Sequence, residues 1–482
     1  MSCCANCYGS ALFVISRNPI LSQTPFSTLA LHTDLLNNLD SLGYQSMTEI
    51  QAQSLPHILA NKDVIAQGKT GSGKTAAFSL GLLNKLNVKR FRIQSLILCP
   101  TRELADQVGK EIRRLARTIH NIKVLTLCGG VPFGPQIGSL EHGAHIIVGT
   151  PGRVEDHLRK GTLKLDDLEI LVLDEADRML DMGFQASIDS IIDQAPKSRQ
   201  TLLFSATFPE QIDAISRRIL HDPVTVKVKS EHDNSVITQY FYEVDNNEQR
   251  MVALRLLLQQ YQPDSAVVFC NTKRDVQDVA DELFNRGFSA LSLHGDLEQK
   301  DRDQALIRFA NKSASILVAT DVAARGLDIE NLSAVFNYNL AHDQEVHVHR
   351  IGRTGRAGSK GMAFSFYSPK EMNKLHLLED YLDRTFTAQA LPDFSLLDQT
   401  PVPSSMITMR IDGGKRQKIR PGDIVGALTG ENGIKGDQVG KIQVSDNWAY
   451  VAVQRNCIKP AFKKLSEGKL KGRKFRISVV RG

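Results

Sequence analysis

Two clusters of residues open the chemistry of this chain. One is Gly68-Lys69-Thr70-Gly71-Ser72-Gly73-Lys74-Thr75; the other is Asp174-Glu175-Ala176-Asp177, directly after the apolar run Ile170-Leu171-Val172-Leu173. The first has the spacing Gly-x-x-x-x-Gly-Lys-Thr between a strand-like run and a helix. Glycines there let backbone N–H groups approach phosphate oxygens, and the helix N-terminus adds partial positive charge. Lys74 is placed for the β- and γ-phosphates and Thr75 for Mg²⁺. Asp174 closes a buried strand, which suits a carboxylate linked to that metal, partly through water, and Glu175 beside it can polarise an attacking water. An isolated Asp-Glu pair is ordinarily a surface turn; a buried strand before it and a phosphate loop upstream make it half of a triphosphate-hydrolysing site.

A loose phosphoryl-transfer transition state needs positive charge on its equatorial oxygens. His349-Arg350-Ile351-Gly352-Arg353-Thr354-Gly355-Arg356 offers it, with Arg353 and Arg356 three apart. An arginine in that position is worth about 10³ to 10⁵ in rate, and one supplied from another domain makes hydrolysis conditional on closure.

These residues need two scaffolds. From Phe26 to about Val228, short apolar runs (Val64 to Ala66, Ser95 to Leu98, His145 to Val148, Ile170 to Leu173, Thr201 to Phe204) alternate with amphipathic segments such as Arg102 to Ala116. That alternation predicts a parallel sheet covered by helices. It restarts near Ile237 with Ala266 to Phe269, Ala290 to Leu293, Ile316 to Ala319 and Ala334 to Phe336. The expected division is one α/β domain over 24–230 and another over 236–386. Residues 387–405, with Pro392, Pro401 and Pro403, read as a flexible linker spanning about 24 Å. Residues 406–482 read as strand, helix, two strands, helix and strand, a small α+β domain of βαββαβ order.

Composition sets outer limits. The chain has 482 residues, 42% hydrophobic and 23% charged, as a soluble globular protein has. No apolar stretch reaches the roughly 20 residues of a membrane span, so no membrane partner is expected. Seven scattered cysteines suit a reducing cytosol. Cys4 and Cys7 have C-x-x-C spacing without a second ligand pair. Residues 1–23 are expected to be a disordered extension without a role. From Met406 to Gly482 there are 17 Lys+Arg and 6 Asp+Glu, a net of +11, against 42 and 47, a net of −5, in the first 405 residues. A basic terminal segment on a slightly acidic body points to a nucleic-acid-binding appendage.

With these motifs in order, the stretch from about Phe26 to Phe386 resembles the DEAD-box RNA helicases, whose two core domains are RecA-like. Gly43 to Gln51 resembles that family's Q motif (residues 24–52 here), which implies that Gln51 bonds the adenine and Phe26 stacks on it. Met47 stands where most members have proline. Pro100-Thr101-Arg102, Gly129-Gly130 and Thr150-Pro151-Gly152-Arg153 resemble the RNA-backbone motifs of the first domain. Ser205-Ala206-Thr207 resembles the motif coupling hydrolysis to strand separation. In the second domain, Phe269 to Thr272, His294-Gly295-Asp296, Gln299 to Arg302 and Ala319 to Asp328 match in order. The resemblance implies that Gly295, Arg302 and Thr320 touch RNA, that Asp328 meets the ribose, and that His349, Arg353 and Arg356 complete the ATP site. Such loops hold phosphates and 2′-hydroxyls without reading bases.

The tail resembles an RNA-recognition motif, and the whole chain resembles the bacterial DEAD-box protein A branch. Asp446 to Val453 lies where the third-strand octamer should be, so Trp448 and Tyr450, two apart, share a sheet face on which bases could stack. Asp446-Asn447 replaces the usual basic-glycine start, and Met406 to Ile411 has no aromatic residue. The alternative surface is electrostatic: Lys415, Arg416, Lys418, Lys469, Lys471 and Arg473, with neighbouring cations. The resemblance implies a cytoplasmic, monomeric, ATP- and Mg²⁺-dependent RNA helicase. Its implied partners are a 23S ribosomal RNA hairpin near the peptidyl-transferase centre and precursors of the large (50S) subunit. An ATP-gated RNA clamp or scaffold is the competing reading; the intact Glu175, Ser205 to Thr207, Arg353 and Arg356 favour turnover.

Overall fold

The strand-like runs are continuous rather than alternating, as strands buried on both faces must be. The computed structural model describes residues 24–68, 71–208, 210–228, 237–324, 332–355 and 360–480. The chain divides into two compact units between Glu231 and His232. Among its described residues the first holds seven strands: β1 (Val64–Gln67), β2 (Ser95–Leu98), β3 (Val124–Leu127), β4 (Ile146–Gly149), β5 (Ile170–Asp174), β6 (Gln200–Ser205) and β7 (Val224–Lys227). They form one parallel sheet in the order β3-β4-β2-β5-β6-β1-β7. Along β6, Leu202 and Phe204 enter the core cluster on one face and Leu203 the cluster on the other, the two-residue period of a strand. The Arg102–Leu115 helix buries Leu104, Ala105, Val108, Ile112 and Leu115 and exposes its charged face.

The second unit contains a parallel sheet and an antiparallel one. β8 (Ile237–Glu243), β9 (Ala266–Cys270), β10 (Ala290–Leu293), β11 (Ile316–Thr320), β12 (Ala334–Asn337) and β13 (Gly361–Tyr367) run parallel in the order β10-β11-β9-β12-β13-β8. β14 (Met406–Ile411), β15 (Val439–Val444), β16 (Ala449–Gln454) and β17 (Ile477–Val479) are antiparallel in the order β15-β16-β14-β17. The Pro421–Thr429 and Ile458–Glu467 helices cover this small sheet, giving the βαββαβ order.

Two expectations about the tail need correction. Residues 387–405 are laid along the second α/β domain rather than hanging as a coil. Gln389 N–H donates to the Phe241 carbonyl at 2.8 Å, residues Phe394–Asp398 form a 3₁₀ turn, and Gln259 Nε2 donates to the Gln399 carbonyl at 2.7 Å. Nor does the tail present both aromatic rings as an open stacking face. Tyr450 is only 6% exposed and packs with Ile307 and Val480. Beside it, Thr408 Oγ1 accepts from Asn311 Nδ2 at 3.2 Å and lies 2.7 Å from Ser313 Oγ. Trp448 remains 37% exposed, with the Arg410 guanidinium 5.4 Å from its ring centre. Burial against an apolar side chain outweighs display of an aromatic ring to water.

Candidate functional site

Apart from Phe26 and Gly43 to Gln51, which precede β1, the first-domain motifs lie at the carboxyl ends of strands, the edge where open α/β sheets bind ligands. β1 runs into Gly68, whose N–H donates to the Ser205 carbonyl at the end of β6. The loop enters the Lys74–Lys85 helix through Gly73, whose φ of +96° is left-handed. A Cβ at Gly73 would lie 2.5 Å from Gln51 Nε2 and 2.8 Å from Thr48 Oγ1, so only glycine fits. Gln51 Oε1 accepts from the Thr48 N–H at 2.9 Å and Gln51 Nε2 donates to the Gly73 carbonyl at 3.1 Å, while Thr48 Oγ1 donates to the Ser72 carbonyl at 2.7 Å. Gln51 is thus buried and committed to the loop's curvature, and Phe26 is buried edge-on to Tyr44 at 6.2 Å. Neither offers an open face for a base in this structure. Met47 is buried too, and its N–H donates to the Thr24 carbonyl at 2.9 Å, a bond proline could not make.

Lys74 is 7% exposed and its ammonium donates to the Gly68 carbonyl. Burial pulls its pKa down, against the opposing pull of Asp174, Glu175 and Asp177. Asp174, 3% exposed at the end of β5, is pushed up to about 7, first by burial and then by the adjacent Glu175 charge; Lys74 offsets only part of this. Glu175 adopts φ +52°, a strained conformation for a residue with a side chain, and its carboxylate meets Arg178 Nη1 at 2.5 Å. Two adjacent buried carboxylates with under-compensated charge, beside a helix start carrying Thr75, fit a divalent cation with oxygen ligands. Lys69 and Thr70 lie outside the described residues.

Asp177 carries a role that spacing did not signal. Its Oδ2 accepts from the Thr207 N–H at 2.9 Å and the Thr207 hydroxyl at 2.8 Å, and its own N–H reaches Ser205 Oγ at 3.4 Å. Burial pushes the Asp177 carboxyl up, but the Thr207, Arg178 and Ser205 contacts outweigh it and hold the group below its ordinary value. The Ser205-Ala206-Thr207 segment is therefore latched two residues from Glu175. The Ala206 carbonyl accepts from Gln67 Nε2 at 3.4 Å.

The expected RNA-backbone turns stand on neighbouring strands. Thr101 follows Pro100 after β2 and caps its helix by accepting from the Leu104 N–H, with Arg102 as first helical residue. Gly129 and Gly130 follow β3, Gly130 with φ +72°. Thr150 follows β4, and Pro151 starts the helix that carries Gly152 and Arg153. One residue absent from the sequence reading joins two of these turns. Gln136, 8% exposed, donates to the Cys128 carbonyl at 3.0 Å and accepts from Arg153 Nη1 at 2.8 Å. Arg153 Nη1 also donates to the Val131 carbonyl at 3.1 Å. His157 Nε2 lies 3.0 Å from Gln136 Oε1, and its ring stacks on Phe133 at 4.0 Å. Burial, with Arg153 next, lowers the His157 pKa to about 4, so the neutral ring donates to the amide oxygen.

In the second unit, Gly295 is exposed after β10, Arg302 is half-buried in the Gln299–Ala310 helix, and Thr320 ends β11 with its hydroxyl accepting from the Ala323 N–H at 3.3 Å. His349 is half-buried in the Gln344–Ile351 helix and Arg353 buried just beyond it. Arg350 between them is a hub: it forks onto Asp321 with two contacts of 2.7 Å, and bonds the Asn339 carbonyl at 2.7 Å and Asn271 Oδ1 at 2.8 Å. That side chain ties the turn after β11 to the arginine-bearing helix. Asp328 and Arg356 lie outside the described residues. On the tail, Lys415, Arg416, Lys418, Lys469, Lys471 and Arg473 are all exposed, and Lys471 pairs with Asp423 at 3.1 Å. Among the described residues, no helix is long and apolar enough to cross a membrane.

The glycine-rich loop, the carboxylate pair, the Ser205-Ala206-Thr207 segment and the basic tail fall within regions that match known families in the same order. Residues 48–215 match the DEAD/DEAH box helicase model, 248–358 the helicase conserved C-terminal domain, and 408–479 the DbpA RNA binding domain. The chain belongs to the DEAD-box ATP-dependent RNA helicases, in their DbpA branch, and is therefore an RNA-dependent ATP hydrolase. It is 55% identical over 460 residues to the ATP-dependent RNA helicase DbpA of Escherichia coli (strain K12), covering 95% of this chain and 100% of that one. The DEAD-box ATP-dependent RNA helicase CshA of Geobacillus kaustophilus is 45% identical over 358 residues, 74% of this chain and 76% of its own. Among solved structures, S. cerevisiae Dbp5 bound to RNA and ADP BeF3 superposes with a TM-score of 0.70 at 31% identity, over 79% of this chain and 100% of that chain.

Proposed function

We propose that this RNA helicase acts locally on 23S ribosomal RNA during assembly of the large (50S) ribosomal subunit, in the cytoplasm and as a monomer, directed by its C-terminal domain. The observation that carries this is the tail itself: a DbpA RNA binding domain with exposed Lys415, Arg416, Lys418, Lys469, Lys471 and Arg473. The similarity over all of the Escherichia coli relative supports it. Structured RNA docks on those cations, and the core opens a neighbouring short duplex through the sequence-blind turns at Pro100 to Arg102, Gly129-Gly130 and Thr150 to Arg153, with Gly295, Arg302 and Thr320.

In this reading Lys74 and the loop N–H groups hold the triphosphate, Thr75 and Asp174 hold Mg²⁺, and Glu175 orients the attacking water. The metal supplies charge neutralisation at the phosphates. His349, Arg353 and Arg356 complete the site from the second domain, and Asp328 meets the ribose. Gln51 and Phe26 serve the adenine once their present contacts to the loop and to Tyr44 rearrange.

The test is ATPase stimulation across an RNA panel, for the full chain and for a chain lacking residues 406–482. Because truncation uncovers Ile307, a full-length Lys415→Glu/Arg416→Glu/Lys418→Glu variant is measured beside it. The expected result is lost preference for ribosomal hairpins with generic stimulation retained. Unchanged preference in both variants places specificity in the core.

A further inference from the structure

The docked tail creates a groove that neither domain has alone. A cavity of about 820 Å³ opens where the end of the Gln299–Ala310 helix meets the end of the linker and the edge of the small sheet. That volume is within the roughly 300–1,000 Å³ of ligand sites. Its floor is apolar, with Ala310, Met406 and Gly440, and its rim carries Lys312, Lys441 and Arg455; none of its lining residues is acidic.

The local backbone is shaped around this opening. β15 is an edge strand and its pairing with β16 shifts register between Val439 and Ile442, the stretch holding Gly440 and Lys441. Such irregularities re-aim side chains at sheet edges. A Cβ at Gly440 would come 2.4 Å from Met406 Cε, so a larger residue would fill the floor. Lys312 sits at φ +56°, directly after the helix and its cap Asn311. Arg455 is a strut: its Nε and Nη2 donate to the Ser404 carbonyl and hydroxyl at 2.6 and 2.7 Å, fixing the linker wall. Lys312 and Lys441 are exposed, and among the described residues neither has an ion-pair partner.

We propose that this groove binds a single-stranded RNA segment, with a base against Met406 and Ala310 and backbone phosphates on Lys312 and Lys441. Proteins hold unpaired strands without reading sequence by a positively charged groove that tracks the backbone, with side chains against which bases stack; here Met406 and Ala310 supply an apolar surface in place of an aromatic ring. A strand flanking the structured RNA on the tail would thereby be held against the second helicase domain, on a path fixed by the Thr408, Ser404 and Tyr450 contacts. The proposal rests on RNA being the substrate but not on the ribosomal address.

The test uses the full chain and its Lys312→Glu/Lys441→Glu variant, with Lys312→Arg/Lys441→Arg as the charge-preserving control. Anisotropy titrations compare a blunt hairpin with the same hairpin carrying a single-stranded uridine extension. The extension is expected to tighten wild-type binding about tenfold, and the Glu pair to remove that gain while leaving blunt-hairpin affinity and melting temperature unchanged. Two lost phosphate contacts reduce the salt slope for the extended RNA by about 1.4. A short oligouridine carrying 4-thiouridine is expected to crosslink to peptides containing Lys312, Met406 or Lys441. The proposal is overturned if the extension adds nothing to wild-type binding, if the Glu pair retains the gain or weakens both RNAs equally, or if crosslinks fall only elsewhere. Failure of hairpins to bind or stimulate at all would instead refute the ribosomal reading.

Discussion

Replacing Gln136 with leucine removes one donor and one acceptor from a buried site. The Cys128 carbonyl loses its 3.0 Å donor, Arg153 Nη1 its 2.8 Å acceptor, and His157 Nε2 its 3.0 Å partner. A buried polar group left unsatisfied costs about 1–3 kcal/mol, so the first unit should lose about 2–4 kcal/mol. Arg153 keeps its 3.1 Å contact to the Val131 carbonyl and its place 5.3 Å from the Phe133 ring centre. A hydrogen bond to a charged group is worth about 1.5–3 kcal/mol. The lower figure is about tenfold in affinity, so the RNA concentration for half-maximal ATPase should rise about tenfold while turnover at saturating RNA stays within about twofold. Gln136→Glu separates stability from positioning: it can still accept from Arg153 and His157 but cannot donate to Cys128. It should lose stability yet keep RNA affinity near wild type. Urea unfolding and RNA-dependent ATPase are the paired assays. Equal weakening of RNA binding by both substitutions, or less than twofold weakening by leucine, would show that Gln136 only supports the fold.

Glu175→Gln should retain ATP binding and lose hydrolysis by about 10² to 10⁴-fold; single-turnover phosphate release checks it, and unchanged turnover removes Glu175 as the catalytic carboxylate. Thr207→Val removes the 2.8 Å hydroxyl contact to Asp177 but spares the backbone one, so ATPase should stay within about threefold while duplex opening falls about tenfold, as loss of about 1.4 kcal/mol of coupling would give. Asp174 has a folded pKa near 7, above its unfolded value, so the native state holds the proton longer and nucleotide-free stability should fall as pH rises from about 4 to about 7. At pH 8, Asp174→Asn should melt about 2 °C higher than wild type, the effect of about 1 kcal/mol on a domain of this size, while losing Mg²⁺-dependent tightening of ATP binding; scanning calorimetry and nucleotide titration check both.

What could be read from residues alone followed physical contrast. β1, β2, β5 and β6 are continuous apolar runs between turn signals, and the predicted boundaries differ from the structure by about one residue, the fraying expected of any assignment. β3 and β7 gave no comparable signal, because Thr126 interrupts one and Val-Thr-Val-Lys at a sheet edge is half polar. Lys74, Asp174 and Glu175 were legible because their chemistry is written in neighbouring residues. Gln136 was not: its partners lie 8, 17 and 21 positions away, and a lone glutamine in a helix signals nothing until the strands come together. Arg350 was hidden for the same reason, between two arginine-motif residues that drew the attention while its own partners, Asp321 and Asn271, sit on other strands' ends.

The tail changes the logic of targeting. A free 19-residue linker would leave the C-terminal domain to raise local substrate concentration, with no preferred direction of delivery. Here the linker is bonded to β8 and the Asn247–Tyr261 helix, and Thr408 is buried against Asn311 and Ser313. In the proposed reading, structured RNA docked on the tail's cations meets the second helicase domain at a fixed angle, so the duplex to be opened is selected by its position relative to the docking site rather than by its sequence. The burial of Tyr450 follows from the same arrangement: the ring on the sheet face contacts Ile307 and helps set that angle, while the tail's exposed cations, to which the proposed function gives RNA docking, lie outside the interface. Under that proposal the core acquires its address through geometry, and a substitution at Ile307 or Thr408 is expected to shift RNA preference in the ATPase panel without touching the ATP-site residues or the cations proposed to hold RNA.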